Sequence, residues 1–256
     1  MNQGLGLVVA LPAEARALFG RCLRKQTGDR LWAVSTLNTG TPLVIICPGP
    51  GTRNAAAAAR RLVSRGMTML GSLGVSGGLS PGVAAGDLIL SHEMLQHTGE
   101  SYQLVWKADR RVLESMYDAL GAARLSVHLG ASLTVEQPVL SREEKAICFR
   151  ETGALATDME SAAVAREAQA AGVPFFALRA VCDPATVSLP VFIGDCLDQK
   201  GGIRTLYLCG RLFKRPLTVF QLLRMQRDFQ KGLRHLRAAW QGPLKSVLPE
   251  MVDAGR

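Results

Sequence analysis

Four carboxylates stand in this sequence where chemistry could use them: Glu14, Asp158, Glu160 and Asp183. Asp158 and Glu160 flank Met159 in ATDMESAAVA (156–165), a run of small, mostly apolar residues. Charged side chains are rarely buried in such a run unless they are paired. Asp183 closes VPFFALRAVCD (173–183), which reads as a buried strand. Desolvation at a buried strand end raises a carboxyl pKa, and a raised carboxyl is a useful general acid near neutral pH. The plainer alternatives for Asp183 are an N-cap or a partner for Arg179. Glu14 follows LGLVVAL (5–11) and, taken alone, reads as a first-turn glutamate favoured by a helix dipole.

Two glycine-rich stretches could bring backbone close to a ligand. PGPGTRNA (48–55) offers Gly49, Gly51 and Arg53 as a phosphate cradle opening onto a helix. It lacks the G-K-[ST] of a Walker A loop and the G-x-G-x-x-G of a dinucleotide fingerprint, and a plain strand-to-helix turn suits it equally. GVSGGL (74–79), with Val75, Ser76 and Gly77 at its centre, follows an apolar run. It reads either as a tight turn or as backbone approaching a flat or polar ligand.

Alternating elements must position these residues. LGLVVAL and TPLVIICPG (41–49) are continuous apolar runs of the kind found in strands buried on both faces. MTMLGSLGVSGGL (67–79) reads as a strand and then a Gly-rich turn, and GDLILSHEML (86–95) and RLSVHLGASLTVE (124–136) as further strands. Helical spacing covers 13–23, 53–66, 110–123, 142–153 and 158–172, with Gly66, Gly153 and Gly172 as stops. The pattern predicts an α/β chain, a three-layer sandwich with a mixed, mostly parallel central sheet flanked by helices. Ligands in such folds sit beyond the carboxyl ends of the strands, where all four carboxylates fall.

The 256 residues suit one large domain or at most two small ones. At 48% hydrophobic and 20% charged the composition is globular, not disordered. The six cysteines form no C-x-x-C pair and read as reduced thiols, and the four histidines do not cluster at metal-ligand spacing, so no metal is expected. The first apolar run has no positive charge before it, which argues for a strand over a secretory signal. No apolar run approaches the roughly 20 residues of a membrane span.

The net charge of +9 is uneven. Residues 1–199 hold 18 Lys/Arg and 18 Asp/Glu, whereas residues 200–245 hold 11 Lys/Arg against Asp228 alone. Within that tail, Val219, Leu222, Phe229, Leu233, Leu236 and Trp240 recur at helical spacing in residues 216–241, while Arg227, Lys231, Arg234 and Arg237 fall mostly on other faces. This predicts a basic amphipathic helix with Pro216 near its start and Gly242-Pro243 at its end.

Taken in order, ALPAEA, GPGTRNAA, GVSGGLSPGVAAGDLIL, ATDMESAAVA and FFALRAVCDPA resemble the nucleoside phosphorylase/nucleosidase superfamily over about residues 5–190. G-x-S-G-G-L…G-D-L and D-M-E-S-A-A-V-A…R-A-V-C-D are the most specific parts. Within the superfamily the chain resembles the methylthioadenosine/S-adenosylhomocysteine nucleosidases and the hopanoid-associated nucleoside phosphorylases. The resemblance implies cleavage of the N-glycosidic bond of a purine nucleoside through an oxocarbenium-like state, by a catalytic body at 1–200 with a basic extension at 201–256. It assigns Asp183 as the acid that protonates the purine, and Glu160 as the acceptor for ribose hydroxyls. Met159 becomes the apolar platform under the sugar, Glu14 the carboxylate that activates water, and Val75, Ser76 and Gly77 part of the substrate site. A backbone segment near 135–137 should meet the base. One departure is Val75, where the nucleosidases carry a serine.

Two nucleophiles remain open at this point. Phosphorolysis would need inorganic phosphate as co-substrate and a positive pocket, for which Arg53 is the candidate; ionised Glu14 repels phosphate and favours water. No cofactor is expected in either case. The hopanoid branch implies adenosylhopane, an adenine nucleoside with a large apolar 5′ group; the apolar residues of VSLPVFIGD (187–195) suit such a group, and suit a place in the core equally. It also implies a cytoplasmic enzyme peripheral to the inner membrane, touching it through residues 205–241. The tail's apolar stripe could equally pack on the chain's own body. A methylthioadenosine/S-adenosylhomocysteine-type nucleosidase, or a non-catalytic nucleoside- or nucleic-acid-binding protein, are the alternatives. Nucleic acid is disfavoured because no stacking aromatics interleave the basic face. The superfamily also implies a homodimer or higher oligomer.

Overall fold

A computed structural model of the chain describes residues 4–20, 24–25, 31–37, 39–190 and 218–254. Among these residues lie ten strands and seven α-helices. The first half runs β1 (Leu5–Val8), α1 (Pro12–Phe19), β2 (Arg24–Lys25), β3 (Leu31–Thr36), β4 (Pro42–Ile46), α2 (Thr52–Ser64) and β5 (Met69–Gly78). It continues through β6 (Leu88–His97), β7 (Tyr102–Lys107), α3 (Arg110–Ala122), β8 (Val127–Thr134), α4 (Arg142–Thr152), β9 (Ala156–Asp158), α5 (Ser161–Ala170) and β10 (Phe175–Asp183). The chain then closes with α6 (Thr218–Ala239) and α7 (Lys245–Ala254).

Strands β4, β1, β5 and β10 pair in parallel in that order and form the middle of the sheet. Every residue of β1 is buried, as a strand covered on both faces requires. β3 and β2 continue the sheet antiparallel beyond β4, and β7 adds to β6. The sheet also closes on itself: β10 pairs with β6, β6 with β8, β8 with β9, and β9 with the far end of β5. This closure curls the carboxyl ends of β5, β9 and β10 around a common crevice.

Small side chains allow the close packing. Ala55, Ala58 and Ala59 of α2 lie in one buried cluster with Ala162, Ala165 and Ala168 of α5. The predicted glycine stops hold at Gly66, Gly153 and Gly172, all with positive φ, and the Gly153 amide donates to the Phe149 carbonyl.

Three local expectations change. GVSGGL is strand, not turn: β5 runs to Gly78, and its Gly77 and Gly78 pair with Thr157 and Ala156 of β9. Asp158, Met159 and Glu160 precede the helix instead of opening it, because Ala156–Asp158 is held as a strand between β5 and β8 and α5 starts at Ser161. Gly242-Pro243 does not end the tail helix. A π-helical turn at Trp240–Leu244 absorbs the proline, and α7 carries on.

The tail packs on the body from Asp228 onward. Leu236, Ala239, Trp240, Leu244, Leu248 and Val252 join Leu7, Leu90 and Leu178 in the largest buried cluster, and Leu233 is buried as well. Trp240 meets Phe19 edge-on with ring centroids 5.1 Å apart. Truncating a buried tryptophan of this kind costs about 3–5 kcal/mol, so this part of the stripe is fold-forming. By contrast Phe220 and Leu223, at the start of α6, are 73% and 62% exposed. Pro216 and residues 191–217 lie outside the described residues, as do Cys22, Cys196 and Cys209. Cys148 and Cys182 are free thiols, and the Cys47 thiol donates to the Ala10 carbonyl at 3.4 Å.

Candidate active site

The parallel strands deliver their carboxyl ends to one crevice. Glu14 enters it from the first turn of α1, just beyond β1. It is buried, and its carboxylate accepts hydrogen bonds from the Leu11 amide through Oε2 and the Val75 amide through Oε1, each at 2.8 Å. The residue is therefore more than a dipole-favoured helix opener: it ties α1 to β5. Burial pushes its pKa up, against the opposing pull of Arg179.

Arg179 is the buried cation at the centre of the crevice. Its Nε lies 2.8 Å from Asp158 Oδ2, an ion pair at an angle too oblique for a directed hydrogen bond, and its Nη2 lies 3.7 Å from Glu160 Oε2. Nη2 also donates to the hydroxyls of Ser72 and Ser161, both at 2.8 Å. Gly74 makes room for this arrangement. A Cβ there would collide with Arg179 Nη1 and come within 2.8 Å of Glu14 Oε1. The alternative pairing of Arg179 with Asp183 is not formed; Arg179 is paired to Asp158 instead.

Asp158 closes the short β9 and caps the turn that follows. Its Oδ1 accepts from the Thr134 hydroxyl at 2.7 Å and from the amides of Glu160 and Ser161 at 3.1 Å. Although burial opposes it, the Arg179 charge and these hydrogen bonds bring the Asp158 pKa below its ordinary value. Glu160 goes the other way. Burial, with Asp158 and Glu14 adding repulsion, outweighs Arg179 and pushes its pKa up to about 7. Glu160 Oε1 accepts the Gly51 amide at 2.9 Å. Gly49 and Gly51 both take positive φ, and Gly51 stands at the N-cap of α2. The N-terminus of α2 thus already faces a carboxylate of the chain itself, and Arg53 points outward, exposed. Met159 is half-buried and packs beside Leu79 and Leu133.

Asp183 pairs in register with Gly77, just past an irregularity in the β5–β10 ladder, and is buried. A Cβ on Gly77 would stand 3.1 Å from Asp183 Oδ2, so glycine gives the carboxyl its space. Oδ2 accepts from Lys145 Nζ at 2.7 Å, and Oδ1 from the Cys182 thiol at 3.2 Å. Burial raises the Asp183 pKa, with Lys145 and then Cys182 opposing. The hydroxyls of Ser76 and Thr157, beside Gly77 in β5 and β9, are buried with no hydrogen-bond partner among the described residues. A cavity of about 300 Å³ opens at Asp183, lined also by Cys182, Arg142 and Val187 and by Gln221, Arg224 and Met225 of α6. Among the described residues, no group of three or more His, Cys, Asp or Glu side chains could hold a metal ion.

Glu14, Asp158 and Glu160 thus gather around Arg179, while Asp183 sits with Lys145 two residues further along β5, Glu14 meeting Val75 and Asp183 meeting Gly77; the cavity at Asp183 is lined by none of the other three acids. Lys145, Ser72, Ser161 and Thr134 were missed. Lys145 sits in REEKAICFRET, whose many charges read as a solvated helix, and nothing local marks it as the one that turns inward.

The sequence profile of the phosphorylase superfamily matches residues 5–195. The chain belongs to the phosphorylase superfamily, and with it to enzymes that cleave N-glycosidic bonds. Among curated relatives, the 5′-methylthioadenosine/S-adenosylhomocysteine nucleosidase of Oceanobacillus iheyensis is 26% identical over 173 residues, covering 62% of this chain and 76% of its own. That of Mycobacterium tuberculosis is 25% identical over 233 residues, covering 75% and 91%. Among solved structures, the Neisseria meningitidis 5′-methylthioadenosine/S-adenosylhomocysteine nucleosidase in complex with methylthio-immucillin-A superimposes with a TM-score of 0.72 at 19% identity, over 96% of this chain and all of the other. Futalosine hydrolase of Helicobacter pylori gives 0.69 at 18% identity, over 99% of each chain. These superpositions share the fold described above.

Proposed function

We propose that the chain hydrolyses the N-glycosidic bond of an adenine nucleoside carrying a bulky apolar 5′ group, of which adenosylhopane is the type. The observation that carries the reading is the burial of Glu14, Glu160 and Asp183 around the carboxyl end of β5, Glu14 at Val75, Asp183 at Gly77 and Glu160 beside Arg179, each with its pKa raised by burial. In this reading Asp183 donates a proton to the imidazole nitrogen of the departing purine. Glu160 accepts the ribose hydroxyls, Met159 packs under the sugar, and Glu14 takes a proton from the attacking water. The strand floor at Val75, Ser76 and Gly77 lies against the substrate, and the orphaned Ser76 and Thr157 hydroxyls are available to it.

Water is favoured over phosphate on charge. Two like charges about 4 Å apart repel by ~4 kcal/mol at an effective dielectric near 20. The crevice already sets three carboxylates against Arg179, Gly51 donates to Glu160, and Arg53 is exposed. A phosphate dianion at Gly49, Gly51 and Arg53 would have to displace Glu160.

The apolar 5′ group draws support from α6. Gln221, Arg224 and Met225 line the cavity at Asp183, and Phe220 and Leu223 stand exposed on the same stretch of helix beside Arg227. An apolar, basic rim of this kind suits entry of a lipid-like nucleoside from an anionic membrane surface. Among the described residues of the tail, that contact would fall at the start of α6, since Leu233 is buried and the stripe from Leu236 onward is core. The curated relatives favour a second reading, in which the 5′ group is a methylthio or homocysteinyl unit.

A 5′ series separates the two. In phosphate-free buffer, kcat/KM is expected to rise about tenfold or more from 5′-methylthioadenosine to a 5′-dodecylthio analogue, because each buried methylene contributes up to about 0.8 kcal/mol. A fall along the series would replace the bulky substrate by the smaller one. With the long-chain substrate carried in phosphatidylglycerol vesicles, Phe220→Glu/Leu223→Glu is expected to slow cleavage about tenfold, because charges enter the membrane interface badly. The same variant should cleave 5′-methylthioadenosine as the unaltered chain does. An unchanged vesicle rate would remove the membrane contact.

A further inference from the structure

Lys145 is 0% exposed, in a helix whose neighbouring Arg142, Glu143 and Glu144 face outward. Surface lysines ordinarily lay their stems along apolar surface and keep the ammonium in water. Here the whole side chain runs inward, and Nζ donates to Asp183 Oδ2 at 2.7 Å, to the Asp183 and Pro184 carbonyls at 3.2 Å and to the Val187 carbonyl at 3.0 Å. A lysine has donors only. Whatever proton Asp183 carries is therefore kept off the oxygen that Nζ occupies.

Resting on the proposed role of Asp183 as general acid, we propose that Lys145 is its positioning residue: it holds Oδ2 and the backbone after β10, confines the transferable proton to Oδ1, and pairs with the carboxylate that the transfer leaves. In the step itself the Oδ1–H bond breaks and an N–H bond forms on the purine, as the C1′–N9 electron pair passes to the base. Water oxygen bonds to C1′ and its proton goes to Glu14. Solvent exchange then returns a proton to Asp183 and removes one from Glu14. Among the described residues only the Cys182 thiol, a weak donor, hydrogen-bonds to Oδ1, so the base displaces little to reach it. Among the described residues, the other charged groups lining the cavity at the acid are Arg142 on α4 and, across it on α6, Arg224 and Asp228, which pair with each other at 3.8 Å.

The cation opposes protonation of Asp183 but stabilises the carboxylate as it forms, and the two effects can be separated. Lys145→Gln retains a donor for the loop carbonyls and removes the charge. It is expected to lower kcat about 100-fold, the lower end of a general acid's contribution, with KM changed by less than about threefold. Asp183 must be protonated to act, so activity falls as pH rises through its pKa. Losing the cation raises that pKa and should move the alkaline limb of kcat up by about one pH unit or more. Asp183→Asn/Lys145→Gln should be no slower than Asp183→Asn alone, as for residues acting as a unit. A limb that stays in place, or losses that multiply, would make Lys145 merely structural and overturn the inference. The intact protein gives a second readout: crystallised with adenine, it should present Oδ1 to the imidazole nitrogen with Nζ still on Oδ2, and Oδ2 against the base overturns the inference. If the intact chain cleaves no nucleoside, the proposed function fails and this inference with it. Cleavage with an unmoved limb in Lys145→Gln sinks the inference alone.

Discussion

Asp183→Asn is expected to lower kcat for nucleoside cleavage by ~10²–10⁴-fold, the range a positioned general acid contributes. Nucleoside affinity should stay within about threefold, since the substitution is isosteric and spares the other contacts. Asparagine can accept the Lys145 hydrogen bond through its carbonyl oxygen and offer an N–H to the purine nitrogen. It has no proton to transfer. The buried Lys145 ammonium is left with a neutral partner, so some folding stability should be lost as well, and both quantities are compared on folded protein. Isothermal titration and single-turnover rates measured side by side give both quantities. A full-rate variant would place the acid elsewhere.

Arg179→Met is expected to cost about 3–5 kcal/mol of folding stability, the usual penalty for removing one partner of a buried ion pair. Asp158 and Glu160 would lose their cation and Glu14 its counter-charge, while the Ser72 and Ser161 hydroxyls would lose a donor. The loss should depend on pH. A carboxyl whose folded pKa lies above its unfolded value favours folding below the unfolded pKa, and that contribution fades as pH rises through the folded one. Glu160 already sits at about 7 with Arg179 in place, and removing Arg179 raises it further. Urea midpoints should therefore differ more from those of the unaltered chain at about pH 8 than at about pH 5. A pH-independent difference would mean that packing, not charge, is what Arg179 supplies.

Much of the architecture is legible because buried strands and alanine helices leave strong periodic signals. LGLVVAL and FFALRAVCD announce buried strands, and Gly66, Gly153 and Gly172 mark the ends of three helices. What escapes is short or long-range. β9 has only three residues and exists because β5 and β8 flank it, so DMESAAVA looks like uninterrupted helix. GVSGGL looks like a turn because glycine usually means one. Here the glycines clear space, Gly74 for the side chains of Arg179 and Glu14 and Gly77 for the Asp183 carboxyl. The site is legible in its acids, which lie beyond strand ends, and hidden in its bases. Arg179 reads as one more residue of a strand and Lys145 as one of many charges on a polar helix. Neither partner can be inferred without the curl of the sheet that brings β10 against α4 and β5. The tail's stripe is periodic along its length, but periodicity does not say which turns meet the body. The structure divides it near Asp228.

The most direct measurement is chromatographic release of adenine from a 5′-alkylthioadenosine by the purified chain, run in phosphate-free buffer and again with phosphate added. The expected result is free adenine in step with free 5-alkylthioribose, at the same rate in both buffers, with no sugar 1-phosphate. Intact nucleoside after prolonged incubation, or adenine released only when phosphate is present, would contradict hydrolysis at the Glu14, Glu160 and Asp183 crevice.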